Sequence, residues 1–205
     1  MDSHKLALKL YVTDPSALNA GDFVPLFHSW IQQHKVPDHL LIDVADYQHV
    51  PDGPGTMLIS YEANFAMDVS DGRLGLLYVR KQPFAGAHTF AQRLRATFKA
   101  ELEAVARLEE DPKLAGRMKF ATGEILLQIN DRLLGPNNPQ TFAEVKEDLE
   151  SVFTELYGVA PLAMDYRPSP ESLFQVRVKL PASPPAAKLL ERLNSVSLNA
   201  GFRWV

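Results

Sequence analysis

Apolar residues alternate from residue 5 to residue 13. Leu6, Leu8, Leu10 and Val12 fall on one side and Lys5, Lys9 and Tyr11 on the other, the period of a half-buried strand whose second face meets water. Thr13-Asp14-Pro15-Ser16 ends it. The period then lengthens to three and four in Phe23, Leu26, Phe27, Trp30 and Ile31, which predicts a core-facing helix capped by Asp22 and tolerant of Pro25 in its first turn. Leu40 to Tyr47 reads as a second strand, and Pro51-Asp52-Gly53-Pro54-Gly55 as a turn. One long strand is predicted next, with Met57, Ile59, Tyr61, Ala63, Phe65 and Met67 on one face and Leu58, Ser60, Glu62 and Asn64 on the other. Ser70-Asp71-Gly72 turns the chain back into Leu74 to Arg80 as a hairpin. Over 88–110, Phe90, Leu94, Phe98, Leu102, Val105 and Leu108 recur at helical spacing, and Asp111-Pro112 stops that helix.

Residues 117–131 organise the rest. Ile125, Leu127 and Ile129 share one face of a strand and Leu126, Gln128 and Asn130 the other. Thr141 with Glu144 forms a capping box for a helix that Gly158 ends after Tyr157. A short strand over 162–166, an alternating strand from Phe174 to Leu180 and a helix opened by Ser183-Pro184-Pro185, running through Leu189, Leu190, Leu193 and Val196, complete the second half. Phe202-Arg203-Trp204-Val205 can close it as a strand.

Laying Asp14 on Asp131 superposes the faces Leu8, Leu10, Val12 and Ile125, Leu127, Ile129. Asp46-Tyr47 and Asp165-Tyr166 then close the next strand at similar spacing. The fold expected is therefore α+β: two ferredoxin-like βαββ(αβ) units in tandem, a pseudo-twofold duplication with antiparallel or mixed sheets and helices on one face. The first unit covers 1–116 and carries an extra hairpin; the second covers 117–205. The two either pack sheet to sheet or join edge to edge, and together can make one compact domain. The expectation includes parallel pairing between the strands at Leu8 and Ile59, or between those at Leu127 and Val176.

Composition narrows the chemistry. With 205 residues, 46% apolar and 22% charged, the chain is long enough to bury a core of its own. Its 21 basic against 25 acidic residues give a net charge of −4, and no Lys/Arg run could track a phosphate backbone, which argues against nucleic acid. The absence of cysteine removes disulfides, thiolate metal sites and Cys nucleophiles. Lys5 and Lys9 interrupt the apolar start, and no apolar run is long enough to cross a bilayer, so a cytoplasmic protein without membrane attachment is expected.

The densest polar cluster, His28, His34, His39, Asp43, Asp46, His49, Asp52 and Glu62, holds four of the six histidines. Imidazole and carboxylate suit a divalent metal, for which His28, Asp46 and His49 are the candidates, or acid-base work by Asp46, His49 and Glu62. The spacing is not diagnostic: His28 and His34 face different ways on a helix, and Asp46, His49 and Asp52 are also ordinary turn formers. Glu62, read as mid-strand beside Ser60 and Asn64, is either an inward base or a solvated surface residue. The loop holding Asp131, Arg132 and Asn137 precedes a helix amino terminus and could meet an anion, with Asp14 as its counterpart in the first unit. No serine nucleophile motif or phosphate-binding glycine loop is present.

Three functions follow from these residues. A non-catalytic ligand-binding or protein-assembly module, without a resident cofactor and taking a small molecule, a protein or a second copy of itself, fits a duplicated sheet lacking catalytic motifs. A metal-assisted or acid-base enzyme would use Asp46, His49 and Glu62. RNA binding through an open sheet face has only the fold class in its favour, because the acidic chain lacks paired aromatics among basic residues.

Overall fold

The computed structural model describes residues 1–51, 53–114 and 116–199. Eight strands and four helices follow one another as β1 (Leu6–Val12), α1 (Phe23–Gln32), β2 (Leu41–Asp46), β3 (Thr56–Ser60), β4 (Ala63–Asp68), β5 (Gly75–Arg80), α2 (Phe90–Glu110), β6 (Phe120–Ile129), α3 (Pro139–Tyr157), β7 (Ala163–Tyr166), β8 (Phe174–Lys179) and α4 (Ala186–Asn199). The strands make one sheet in the order β2-β3-β4-β5-β1-β6-β8-β7, and every neighbouring pair is antiparallel.

The expected parallel pairing does not occur. β1 is not paired with β3, and Leu127 sits opposite Val176 with the strands running in opposite senses. Short turns cause this, since a chain reversing within a few residues can only return antiparallel. The β7–β8 hairpin therefore inserts β8 between β6 and the parallel-running but unpaired β7. The other edge of β6 is taken by β1, from Leu6 opposite Ile129 to Val12 opposite Phe120. In a ferredoxin-like unit a fourth strand would occupy that edge. The closing strand expected at Phe202–Val205 lies outside the described residues, as does Asp52 of the predicted turn.

The predicted long strand over 57–67 is two strands. Ser60 Oγ accepts from the Ala63 N–H at 2.9 Å and donates to the Ala63 carbonyl at 2.7 Å, closing a turn at Tyr61-Glu62. The break resets the alternation: Leu58 now lies opposite Phe65 and both are core residues, while Met57 and Ile59 move to the other face. Helix α3 starts earlier than its expected capping box. Asn138 caps it by accepting from Thr141 N at 2.9 Å, Pro139 fills the first turn, and Glu144 pairs with the amino terminus instead.

Inward residues of all the central strands, including Leu8, Leu10, Phe65, Leu76, Leu127 and Val176, join residues of all four helices in one core. The helices thus cover one face of the sheet. On that covered face Phe27 and Trp30 of α1 meet edge to face at 5.5 Å, as do Phe98 of α2 and Phe153 of α3 at 5.8 Å.

The uncovered face is not polar and open as β1's alternation implied. Lys9 is 1% exposed and Tyr11 fully buried. Lys9 lies flat across Gly75, where a Cβ would come within 2.8 Å of its Cε and 2.5 Å of the Leu10 carbonyl. Its Nζ reaches Asp68 Oδ2 at 2.6 Å and Asp71 Oδ1 at 2.5 Å, and Tyr11 donates to Asp71 Oδ2 at 2.7 Å. Arg73 stacks on the Tyr11 ring at 3.8 Å and bonds Glu124 at 2.7 Å, with Arg177 between Asp71 and Glu124. Three cations face three carboxylates, so the network closes on itself and pins the β4–β5 turn to the middle of the sheet.

Candidate functional site

At the end of the sheet where β1 and β4 finish and β3 and β5 begin, the covered face opens into a recess of about 430 Å³. Its near wall is the β1–α1 connection, with Pro15, Leu18 and Ala20, together with Phe23 at the start of α1. Met67, Val69 and Leu74 from the β4–β5 hairpin form the floor, and Tyr47, Gln48, Gly53 and Gly55 of the connection between β2 and β3, with Thr56 at the start of β3, form the far wall. The lining is largely apolar and the volume falls within the roughly 300–1,000 Å³ of small-molecule sites.

Local chemistry fixes both walls. Arg117, on the segment leading to β6, holds the β1–α1 connection through the Ala17 carbonyl at 2.6 Å and Asp22 at 3.4 Å. Asp14 closes its own turn by accepting from Ser16 N at 2.9 Å, and the Ser16 hydrogen bonds hold its carboxyl below the ordinary range. Across the recess, Gly55 adopts φ +65°, and a Cβ there would lie 2.2 Å from the Met67 carbonyl, so the wall approaches β4 only because the residue is glycine.

Gln48 joins the two walls. Its Nε2 donates to the Ala20 carbonyl at 2.9 Å and to Thr56 Oγ1 at 3.0 Å. Because a carbonyl can only accept, the amide orientation is determined, and both of its hydrogens are spent. The Oε1 acceptor is left over on a residue that lines the recess, where it could meet a donor such as a hydroxyl or amide N–H.

The sequence candidates scatter around this geometry. Asp46 ends β2 opposite Thr56 and accepts from Gln48 N at 3.0 Å, beside the recess wall, and His49 is exposed in the same connection. Glu62 lies at the opposite end of the β2–β3 hairpin, past the Leu41–Ser60 pair, and accepts from Leu40 N at 2.7 Å. Roughly 15 Å of strand therefore separates it from Asp46, and Asp46, His49 and Glu62 do not meet as one site. His28 is exposed on α1 and His34 follows that helix in a left-handed conformation. Among the described residues no three His, Asp or Glu side chains gather into a metal-holding group.

The second loop is a smaller version. Asp131 accepts from Leu133 N and Leu134 N at 3.1 Å, and Arg132 donates to the Glu171 carbonyl at 3.1 Å. Asn137 donates to Ser172 Oγ at 2.9 Å and the Leu173 carbonyl at 3.1 Å. Arg132 and Asn137 border a recess of about 190 Å³. An anion there would compete with the side chain of Asn138, which already caps α3.

Among the perturbed groups are His39 of the predicted polar cluster and two residues that sequence reasoning passed over, Tyr78 and Glu101. His39 Nδ1 lies 2.8 Å from the Pro37 carbonyl and must be the protonated nitrogen, so Nε2 accepts from the Tyr78 hydroxyl at 3.1 Å. Tyr78 in turn accepts from Arg80 Nη1 at 3.2 Å. Burial pushes His39 down, with Arg80 acting the same way, and pushes Tyr78 up to about 12. Glu101 of α2 is fully buried, neither carboxyl oxygen has a hydrogen-bond partner, and burial holds its pKa far above the ordinary value. The sequence did carry a signal for Glu101: three residues after Phe98 and four before Val105, it sits inside the apolar stripe. Tyr78 and Arg80 carried none beyond alternation. Compared with protein-family models, with curated proteins and with solved structures, the chain matches none.

Proposed function

We propose that the protein is a non-catalytic binding module whose ligand is a small, mainly apolar molecule bearing a hydrogen-bond donor, held in the recess between the β1–α1 and β2–β3 connections. The observation that carries this reading is the recess itself: about 430 Å³, apolar on three sides, with the Gln48 acceptor as its free polar atom.

The duplication expected from the sequence gives the recess a rationale. Antiparallel β1 and β6 stand at the junction of two similar strings, β1-α1-(β2-β3)-β4-β5-α2 and β6-α3-β7-β8-α4. Under a pseudo-twofold between β1 and β6, the β4–β5 hairpin corresponds to β7–β8, and β2–β3 is the extra hairpin. The two recesses then correspond as well, each formed by the loop after the first strand and a hairpin turn. The first is larger because the extra hairpin supplies its third wall.

Titration with the environment-sensitive dye 8-anilinonaphthalene-1-sulfonate tests the site. Saturable fluorescence enhancement is expected, and Ala20→Phe, which fills the recess from an exposed position, should abolish it with little change in thermal stability. Undiminished dye binding by Ala20→Phe, or none by the parent protein, overturns the assignment.

A further inference from the structure

A second cavity, of about 240 Å³, lies at the other end of the covered face, where β5 finishes. Arg80 forms one side. It is 7% exposed, and its neighbours are all neutral: Nε donates to the Gln82 carbonyl at 2.6 Å, Nη1 to Tyr78 and Nη2 to the Pro83 carbonyl at 3.2 Å, while the guanidinium stacks on Phe84 at 3.8 Å. Among the described residues no carboxylate lies within ion-pair distance of it. Three of five donors are used, which leaves one N–H on each terminal nitrogen, the pair that a carboxylate engages in two-point contact. A buried cation without a counter-ion is costly, and this one borders empty space.

Asp38 and Glu103 supply the opposite charge around the same cavity. Asp38 adopts φ +58°, a left-handed conformation uncommon outside glycine. Burial raises the pKa of half-buried Glu103 against the pull of Lys99 and Arg107, with a smaller upward push from the Asp38 charge. Lys99, four residues before Glu103 on α2, also lines the cavity and approaches Glu103 at 3.8 Å, whereas among the described residues no cation lies within ion-pair distance of Asp38. Pro37, Pro83, Phe84 and Ala100 provide apolar wall between the two poles.

A bare anion would satisfy Arg80 but face Asp38 and Glu103, and a bare cation would face Arg80 and Lys99. We propose that this cavity binds a small zwitterion of amino-acid size, with its carboxylate on Arg80 Nη1 and Nη2 and its ammonium at Asp38 and Glu103. The volume, below that of drug-sized sites, admits such a molecule. His39 and Tyr78 position the Arg80 fork and do not themselves receive the ligand, because their mutual hydrogen bond uses the one acceptor on His39.

Calorimetric titration tests this assignment independently of the apolar recess. The probes are glycine, β-alanine and γ-aminobutyrate, which separate the two charges progressively, with acetate and methylammonium as half-ligands. At least one zwitterion should bind saturably with one-to-one stoichiometry, and each half-ligand at least about tenfold more weakly, as expected when one charged hydrogen-bonded end is lost. Glu103→Gln and Asp38→Asn, on the solvent side and outside the core, should each weaken the zwitterion about tenfold, and Arg80→Lys should do so by removing the two-point contact. Acetate binding as tightly as the zwitterion, undiminished binding by Glu103→Gln and Asp38→Asn together, or no saturable heat with any of the three zwitterions overturns the proposal. If Arg80→Lys does not fold, the two carboxylate variants decide the matter.

Discussion

Glu101 lies among core residues of α2 with no side-chain partner for either oxygen and only the Leu10 main chain near it, so it should govern how stability depends on pH. Burial favours the neutral acid, opposed only by the Leu10 main chain, and the folded-state pKa is raised well above the ordinary value of 4.5. Between 4.5 and that raised value the native protein keeps a proton that the unfolded chain has released. Proton uptake is then greater in the native state, and stability falls as pH rises, by about 1.4 kcal/mol per pH unit for one proton. The contribution is fully present below the unfolded pKa and lost as pH climbs to the folded one. His39 works in the other direction, because its lowered pKa means that stability is lost as pH falls below 6.5. Absolute profiles mix the two.

The difference between parent and Glu101→Gln separates them, since His39 is common to both. Urea denaturation from pH 5 upward should show the variant gaining on the parent by about 1.4 kcal/mol for each unit until the folded pKa is passed. Glu101→Met, similar in length and free of the unsatisfied oxygens, should raise stability above pH 7 by about 1–3 kcal/mol, the usual cost of an unpartnered buried polar group, which for a chain of this size is about 2–4 °C in Tm per kcal/mol. Parallel profiles for parent and Glu101→Gln would refute the reasoning, because a carboxylate ionised throughout, or exposed, has no proton to lose.

Other perturbations read out other contacts. Lys9→Met strips Asp68 and Asp71 of their shared cation and should cost about 3–5 kcal/mol in chemical denaturation, the range for breaking a buried pair on one side; Lys9→Met with Asp68→Leu and Asp71→Asn should recover most of it. Asp71 itself has a lowered pKa, its burial being outweighed by the Lys9 and Tyr11 hydrogen bonds, so its contribution is present above pH 3.8 and lost as acid titrates it below that value; acid unfolding monitored by circular dichroism should begin at higher pH in Tyr11→Phe. Gly55→Ala, which strains a left-handed residue and meets the Met67 carbonyl, should destabilise by more than 1 kcal/mol and weaken dye binding in the adjoining recess. Tyr157→Phe removes a hydroxyl that donates to the Thr122 carbonyl at 2.5 Å and should cost about 0.5–1.5 kcal/mol by thermal unfolding.

What was legible in the chain followed from local period. The amphipathic stripes of α1, α2 and α3, the Asp-Gly turn before β5 and the inward face Ile125, Leu127, Ile129 are encoded within a dozen residues of themselves, and each was found near its place. The Tyr61-Glu62 turn was missed because no glycine, proline or asparagine marks it; a serine hydroxyl does the work, and that hydroxyl is also common in strands. Strand neighbours were missed for a different reason. Alternation assigns a face but not a partner, so stacked sheets and one joined sheet were both open, and only the spatial order places β1 against β6.

The same limit decided the fate of the charged residues. Asp46, His49 and Glu62 are close in sequence, yet a strand's length separates the first from the last. Lys9 and Asp71 are far apart in sequence and looked like solvent-facing and turn residues, yet they make one buried pair. Sequence clustering finds groups on one turn or one helix face, whereas an antiparallel sheet brings together residues from distant segments at each hairpin end. In this sheet both candidate binding sites occupy such ends of the covered face: the apolar recess where β4 finishes and the Arg80 cavity where β5 finishes. The middle of the sheet is unavailable at either face, covered by four helices on one side and spanned by the Lys9 network on the other. At both proposed sites a small molecule would therefore enter at a hairpin end, where turn residues such as Gln48 and Asp38, rather than the strands that carry them, would set its specificity.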